Sequence, residues 1–169
     1  MAARRVRKGM VAAGTGLPPF ERVVLLHGPA LLRFCAAEAG HERADDCFQE
    51  TLLAALRAYP RLRDPRAIRA WLFSIAARKA IDLHRERARA PRPEPDLEAL
   101  AAARPASEPD PALWARVRAL PPKQRQAVTL RYQADLSHRE IARVLGISEA
   151  AARRNVFEAL ARLREELRR

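Results

Sequence analysis

The residues best placed to do chemistry cluster near the end of this 169-residue chain, in SHREIARVLGISEAAARRNVFEALARL. Ser137 and Glu140 have the spacing of a capping box, in which each side chain satisfies a backbone N–H at a helix start. Ile141, Val144 and Leu145 form an apolar edge at helical spacing. Gly146 permits a turn with positive φ, and Ser148 can cap a second helix. In that helix the stripe Val156, Leu160, Leu163 and Leu167 is expected to face inward. Two short amphipathic helices joined by a glycine turn predict a helix-turn-helix, whose second helix enters the DNA major groove by its first turns. With Val156 inward, Ala150, Ala151, Arg154 and Glu158 are expected outermost, flanked by Arg153 and Asn155. Arg153 and Arg154 can reach phosphates or guanine edges, whereas Glu158 accepts from a cytosine amine or meets phosphate unfavourably. Arg139, Ser148 and Glu149 complete the expected DNA-facing set.

No constellation of this kind supports catalysis. The four histidines, at 27, 41, 84 and 138, are scattered, and there is no nucleophile pair or Gly-rich phosphate loop. Cys35 and Cys47 occupy amphipathic-helix positions and are read as buried small hydrophobes, not as a zinc site or a disulfide framework. Neither a metal nor a cofactor is expected. The formal charge of +12 points instead to a polyanionic partner. No apolar run approaches the ~20 residues of a membrane span, and the basic start, Met1 to Lys8, leads into no apolar stretch of useful length. A cytoplasmic protein without membrane insertion is the expectation.

The elements that must position these residues read as all-α. With 5% aromatic residues and six glycines, the chain lacks the strands and turns of a β fold. A composition shift between Arg89 and Pro111 holds six of the 13 prolines, which predicts an extended linker with at most a short helical turn at Leu97 to Ala103. The expected organisation is a basic tail over residues 1–17, a helical domain over 18–90, a tether over 91–111 and a second helical domain over 112–169. In the first domain Pro18 can open a helix, Gly28-Pro29 is expected to break or kink it, and Gly40 suits its C-cap. A second helix is expected from Ala44 to Tyr59 with Phe48, Leu52 and Leu56 towards the core. Pro60 and Pro65 bracket a loop, and a helix carrying Trp71, Leu72 and Ile75 follows to Arg89. Charge is polarised: acids outnumber cations in residues 17–56, while residues 57–90 hold ten cations against three acids. The second stretch is therefore the expected nucleic-acid face.

Two sets of residues together resemble one family. ALPPKQRQAVTLRYQADLSHREIARVLGISEAAARRNVFEALARLREEL resembles region 4 of the bacterial sigma factors. RADDCFQETLLAALR followed by AWLFSIAARKAIDLHR resembles region 2 of their extracytoplasmic-function (ECF) subfamily. The resemblance implies two small helical domains, a region 2 and a region 4 helix-turn-helix, joined by a Pro-rich linker. It implies binding to core RNA polymerase through the β′ clamp helices and the β flap. Recognition of promoter −35 and −10 DNA, assistance in melting, and an anti-sigma partner are implied as well.

In the family a D-x-x-Q-E helix docks on the clamp helices, and here the pattern is Asp46, Gln49 and Glu50 on one helix face. The −10 surface implied is Arg61, Arg63, Arg66 and Arg69 at the loop, continued by Arg78, Lys79 and Arg85. Trp71 has two readings, a stacking platform for DNA or a core residue four positions from Ile75, and the core reading is preferred. Ala77 and Arg78 stand where the pattern has Arg-Asn, and Ala151, Asn155 and Glu158 where members often carry Thr, Arg and Arg. The DNA preferences are expected to differ accordingly, and the fold is not. The competing expectation is a helix-turn-helix regulator that does not direct polymerase, which has no reason to carry Asp46, Gln49 and Glu50.

Overall fold

A computed structural model describes residues 16–89 and 110–168. Among these there are seven α-helices and no strand. They are α1 (Phe20–Ala39), α2 (Ala44–Ala58), α3 (Ile68–Arg89), α4 (Pro111–Ala119), α5 (Pro122–Tyr132), α6 (His138–Leu145) and α7 (Glu149–Arg168). Most of the expected N-terminal tail, most of the Pro-rich tether and the turn expected at Leu97 to Ala103 lie outside the described residues. Pro111, expected to end the tether, is the first residue of α4. Asp110 caps that helix, its carboxylate accepting from the N–H groups of Ala112 and Leu113 at 3.0 and 3.1 Å.

Helices α1, α2 and α3 pack mutually into one bundle around Leu31, Phe34, Leu72 and Phe73, all fully buried. Phe34 and Phe73 meet edge to face with centroids 5.5 Å apart. Gly40 ends α1 at φ 84°, returning its N–H to the Ala36 carbonyl. The break expected at Gly28-Pro29 does not occur, and α1 runs unbroken through Pro29. An interior proline costs about 3 kcal/mol, but burying a Leu or Phe side chain returns roughly 1.5–3 kcal/mol each, and Leu31 and Phe34 lie just beyond it.

The core face of α2 is also displaced from the expected one. Cys47, Thr51 and Ala55 are fully buried, Phe48 and Leu52 flank them, and Leu56 is 52% exposed. Small residues at the centre of the face let α1 and α3 approach closely, so the large apolar side chains move to its margins. Cys35 and Cys47 are both buried and unbridged.

In the second unit α4, α5 and α6 gather on α7. The capping box forms as expected: the Ser137 N–H donates to Glu140 Oε2 at 2.8 Å, and Ser137 Oγ accepts from the Glu140 N–H. The Ser137 hydroxyl also donates to Glu140 Oε2 at 2.7 Å, and this bond, the largest cause, together with that from the Ser137 N–H holds the Glu140 carboxyl below its ordinary pKa. Gly146 turns the chain at φ 64°, and Ser148 Oγ accepts from the Ala151 N–H at 3.1 Å to start α7. Val156 and Leu163 are buried and Leu160 is half-buried, but Leu167 is 55% exposed, because the stripe outruns the helices it packs on.

The two units are not separate bodies. One hydrophobic cluster joins Phe34, Ile68 and Leu72 of the first unit to Leu130, Leu136 and Ile141 of the second, with Trp71 and Ile75 packed against it. Polar contacts line the seam. Arg125 Nε donates to Glu38 Oε2 at 3.2 Å, Arg33 Nε to Gln133 Oε1 at 2.6 Å, and Arg69 Nη1 to Asp135 Oδ2 at 3.3 Å.

Candidate functional site

The expected polymerase-docking residues Asp46, Gln49 and Glu50 all lie exposed on α2, on one face. Glu50 Oε2 accepts from Lys79 Nζ of α3 at 3.1 Å, so this acid is held in place but remains about half exposed. The face does not end with the acids. Leu53, seven residues after Asp46, and Leu56, seven after Gln49, are each about half exposed. An acidic patch running into an apolar strip is a surface suited to another protein rather than to DNA. Leu56 was missed in the sequence because its helical spacing to Phe48 and Leu52 reads as core, and Leu53 was not singled out there. Their i+7 relation to Asp46 and Gln49 was the available signal.

The basic surface begins in the segment between α2 and α3. Arg61, Arg63 and Arg66 are exposed there, and Asp64 shapes the turn by accepting from the Arg66 N–H at 2.9 Å. Along α3, Arg78 and Arg85 are exposed, Arg85 standing 3.9 Å from Asp82. Besides Arg85, two of the expected cations are paired with acids on other helices or loops: Lys79 with Glu50 and Arg69 with Asp135. Trp71 is half-buried, its ring 6.0 Å from that of Tyr59, and it packs against the shared core. Tyr59 donates its hydroxyl proton to the Pro18 carbonyl at 2.6 Å, which fixes that aromatic pair. The Arg78 that departs from the sigma pattern is exposed, while Ala77 is buried.

On α7, Arg153 and Arg154 project into solvent with side chains 69% and 71% exposed. Each is steadied by an acid four residues away, Arg153 by Glu149 at 3.4 Å and Arg154 by Glu158 at 4.0 Å. Arg139, Ser148, Glu149 and Ala150 are exposed, and Ala151 and Asn155 are half-buried. Glu158, expected outermost, is instead half-buried and accepts from Gln124 Nε2 of α5 at 2.8 Å. Phe157 takes the outward position, 67% exposed. Helix α5 explains the exchange, because it supplies Glu158 with a polar partner that periodicity alone does not reveal. The second half of α7 has another feature. With α4 and α5 it lines an apolar groove of about 290 Å³, walled by Leu113, Trp114, Val117, Tyr132, Leu160 and Leu167.

Among the described residues no helix is long and apolar enough to cross a membrane.

This arrangement has close counterparts. Residues 23–90 match the family Sigma-70 region 2, and residues 111–163 match Sigma-70, region 4. The chain is 36% identical over 153 residues to the ECF RNA polymerase sigma factor SigD of Mycobacterium tuberculosis, covering 82% of this chain and 72% of that one. It is 32% identical over 154 residues to the ECF RNA polymerase sigma factor ShbA of Streptomyces griseus, covering 80% and 81%. Among solved structures, CnrH in complex with the cytosolic domain of CnrY is 29% identical and superposes with a TM-score of 0.63 over 88% of this chain and 86% of that one. The sigma factor RpoE of Bartonella quintana, solved with the anti-sigma factor NepR, shares the fold with a TM-score of 0.73 at 24% identity, over 88% and 96%. An exposed acidic helix face, a basic helix beside it and a capped helix-turn-helix, in the order of these two regions, place the chain in the ECF subfamily of RNA polymerase sigma factors, a family of transcription initiation factors rather than enzymes.

Proposed function

We propose that the chain docks on core RNA polymerase through the exposed face of α2, with Asp46, Gln49 and Glu50 meeting the β′ clamp helices and Leu53 and Leu56 extending the contact. The observation that carries this reading is the exposed pairing of acids and leucines on that face, next to a basic helix of the same bundle. A regulator that only binds DNA gains nothing from such a face. Arg61, Arg63, Arg66 and Arg69, with Arg78, Lys79 and Arg85 farther along α3, then receive −10 DNA as it melts. Phosphate contacts from these cations position a single strand without reading it. Arg153 and Arg154 carry −35 recognition, with Arg139, Ser148, Glu149, Ala151 and Asn155 around them. The apolar groove of α4, α5 and α7 suits an amphipathic helix and is assigned to the β flap. An anti-sigma factor is the further partner proposed, on the ground that the two structural relatives were solved in such complexes or with a partner's cytosolic domain. The site of action is the cytoplasm, where polymerase is.

The test is run-off transcription with purified core polymerase. Wild-type protein is expected to start transcripts at discrete promoters. Asp46→Arg combined with Glu50→Arg reverses two exposed charges and is expected to abolish holoenzyme formation while leaving helicity and −35 duplex binding intact. Holoenzyme formation at wild-type affinity by the double variant sinks the assignment of this face.

A further inference from the structure

The seam between the two units covers part of the surface that the proposed function needs. Arg69, one of the cations assigned to −10 DNA, donates from Nη1 both to the Asp135 carboxylate at 3.3 Å and to the Asp135 backbone carbonyl at 3.4 Å. The same carboxylate lies 3.8 Å from Arg131 Nη1. Asp135 therefore holds an anionic group between two arginines, the placement a nucleic-acid phosphate would take. Among the described residues it is the only non-glycine with positive φ, at 50°. Such a backbone conformation persists where the surrounding structure enforces it. Its side chain is 82% exposed, so the ion pair is solvated and weak enough to be displaced.

Arg69 also faces a cleft of about 390 Å³ at the seam, which Arg22, His27 and Arg66 line with it and Glu140 of α6 borders. That cleft is predominantly cationic, and region 4 supplies its acid. Proximity to Arg69 and burial, burial first, both hold His27 below its ordinary pKa.

The closed arrangement cannot serve two promoter elements together. Helix α6 is eight residues long, about 12 Å, and it alone separates the Arg69–Asp135 contact from the turn into α7. Promoter elements about two helical turns apart are separated by ~70 Å along the DNA axis.

The seam is also held only in part. Glu38, with no side-chain exposure, accepts from Arg125, yet its Oε1 has no protein hydrogen-bond partner. Burial pushes the Glu38 carboxyl up to about 7 against the opposing pull of Arg125. A half-satisfied buried pair adds little net stability, which suits a contact that must part.

We propose that Asp135 is a built-in stand-in for a DNA phosphate, capping Arg69 in a closed resting form, and that the seam parts before Arg69 engages promoter DNA. This rests on the functional reading of α3 given above.

The full chain tests it with a fluorescein-labelled, mixed-sequence 15-nucleotide single strand, read by anisotropy, and with small-angle scattering. Asp135→Asn is expected to tighten strand binding about two- to fivefold, the worth of one exposed ion pair. Glu166→Gln, an equal charge change on an exposed residue elsewhere, is expected to do less, and Arg69→Ala is expected to erase the gain of Asp135→Asn. Arg125→Glu sets two carboxylates against each other and is expected to raise the radius of gyration and tighten binding further. If that variant loses helicity, Arg33→Ala with Gln133→Ala opens the seam from its exposed side instead.

A gain from Asp135→Asn no larger than from Glu166→Gln, or one that survives Arg69→Ala, overturns the phosphate stand-in. An unchanged radius of gyration in the seam variants overturns the closed resting form. Arg69→Ala, made both in the wild-type chain and in the seam-opened variant, separates the two levels: if it weakens strand binding in neither, the reading of α3 itself fails. If it does weaken binding while Asp135→Asn has no effect, only the cap fails.

Discussion

The neighbouring faces of α2 and α3 carry opposite charge and differ in availability. The acids of α2 lie open to solvent, and among the described residues only Glu50 is tied, to a residue of its own bundle. Of the α3 cations, Arg69 is shared with the second unit, which covers it through Asp135 and packs on Trp71 and Ile75, while Lys79 is tied to Glu50 and Arg78 and Arg85 stay exposed. A protein-docking face can stay exposed at little cost when acids border its apolar strip. A basic face attracts any acid that tertiary packing brings within reach. The difference shows that the availability of a binding surface depends on the second domain as much as on the helix that carries it.

Three variants break or sharpen that comparison. Phe34→Ala removes the ring that packs edge to face on Phe73 at the centre of the α1–α3 bundle. It is expected to cost about 3–5 kcal/mol by chemical denaturation, enough to abolish both faces together. If only one of the two functions is lost, the faces do not share that core.

Replacing Arg153 and Arg154 by Ala spares both faces of the first unit. Affinity for −35 duplex is expected to fall by about 1–3 kcal/mol if a base is read, and the salt dependence to flatten if both residues hold phosphate. Holoenzyme formation on core polymerase should be unchanged. An unaltered footprint with unaltered salt dependence would remove α7 from the DNA interface.

The smallest effect is expected from Ser137→Ala, which deletes one half of the capping box beside the seam. Thermal denaturation should show a loss of ~1 kcal/mol. Glu140 should also lose the largest single cause of its lowered pKa, the Ser137 hydroxyl, while the backbone N–H at 137 stays in place. A carboxyl that still titrates as low in the variant would assign that depression to the backbone N–H at 137 and the neighbouring arginines.

How far the sequence could be read depended on the range of the interaction. The helix-turn-helix was legible down to single hydrogen bonds, because a capping box, a left-handed glycine and a serine cap involve residues within four positions of one another. The exposure of Asp46, Gln49 and Glu50 was legible for the same reason. Leu56 and Leu167 were misplaced because periodicity finds an apolar stripe but not where the partner helix ends. Glu158 was misplaced because its partner, Gln124, lies 34 residues away.

By itself, then, the sequence determined an all-α chain with an acidic helix face, a basic helix and a capped helix-turn-helix, all of them properties of helical spacing and local backbone chemistry. Only the tertiary structure decided that α1 passes unbroken through Pro29, that small residues fill the α2 face, and that the two units share a core. It alone set Asp135 on Arg69 and Glu38 on Arg125, pairs separated by 66 and 87 positions. No local periodicity records such contacts, because they arise when apolar faces on distant helices are buried against each other and carry nearby charges into register.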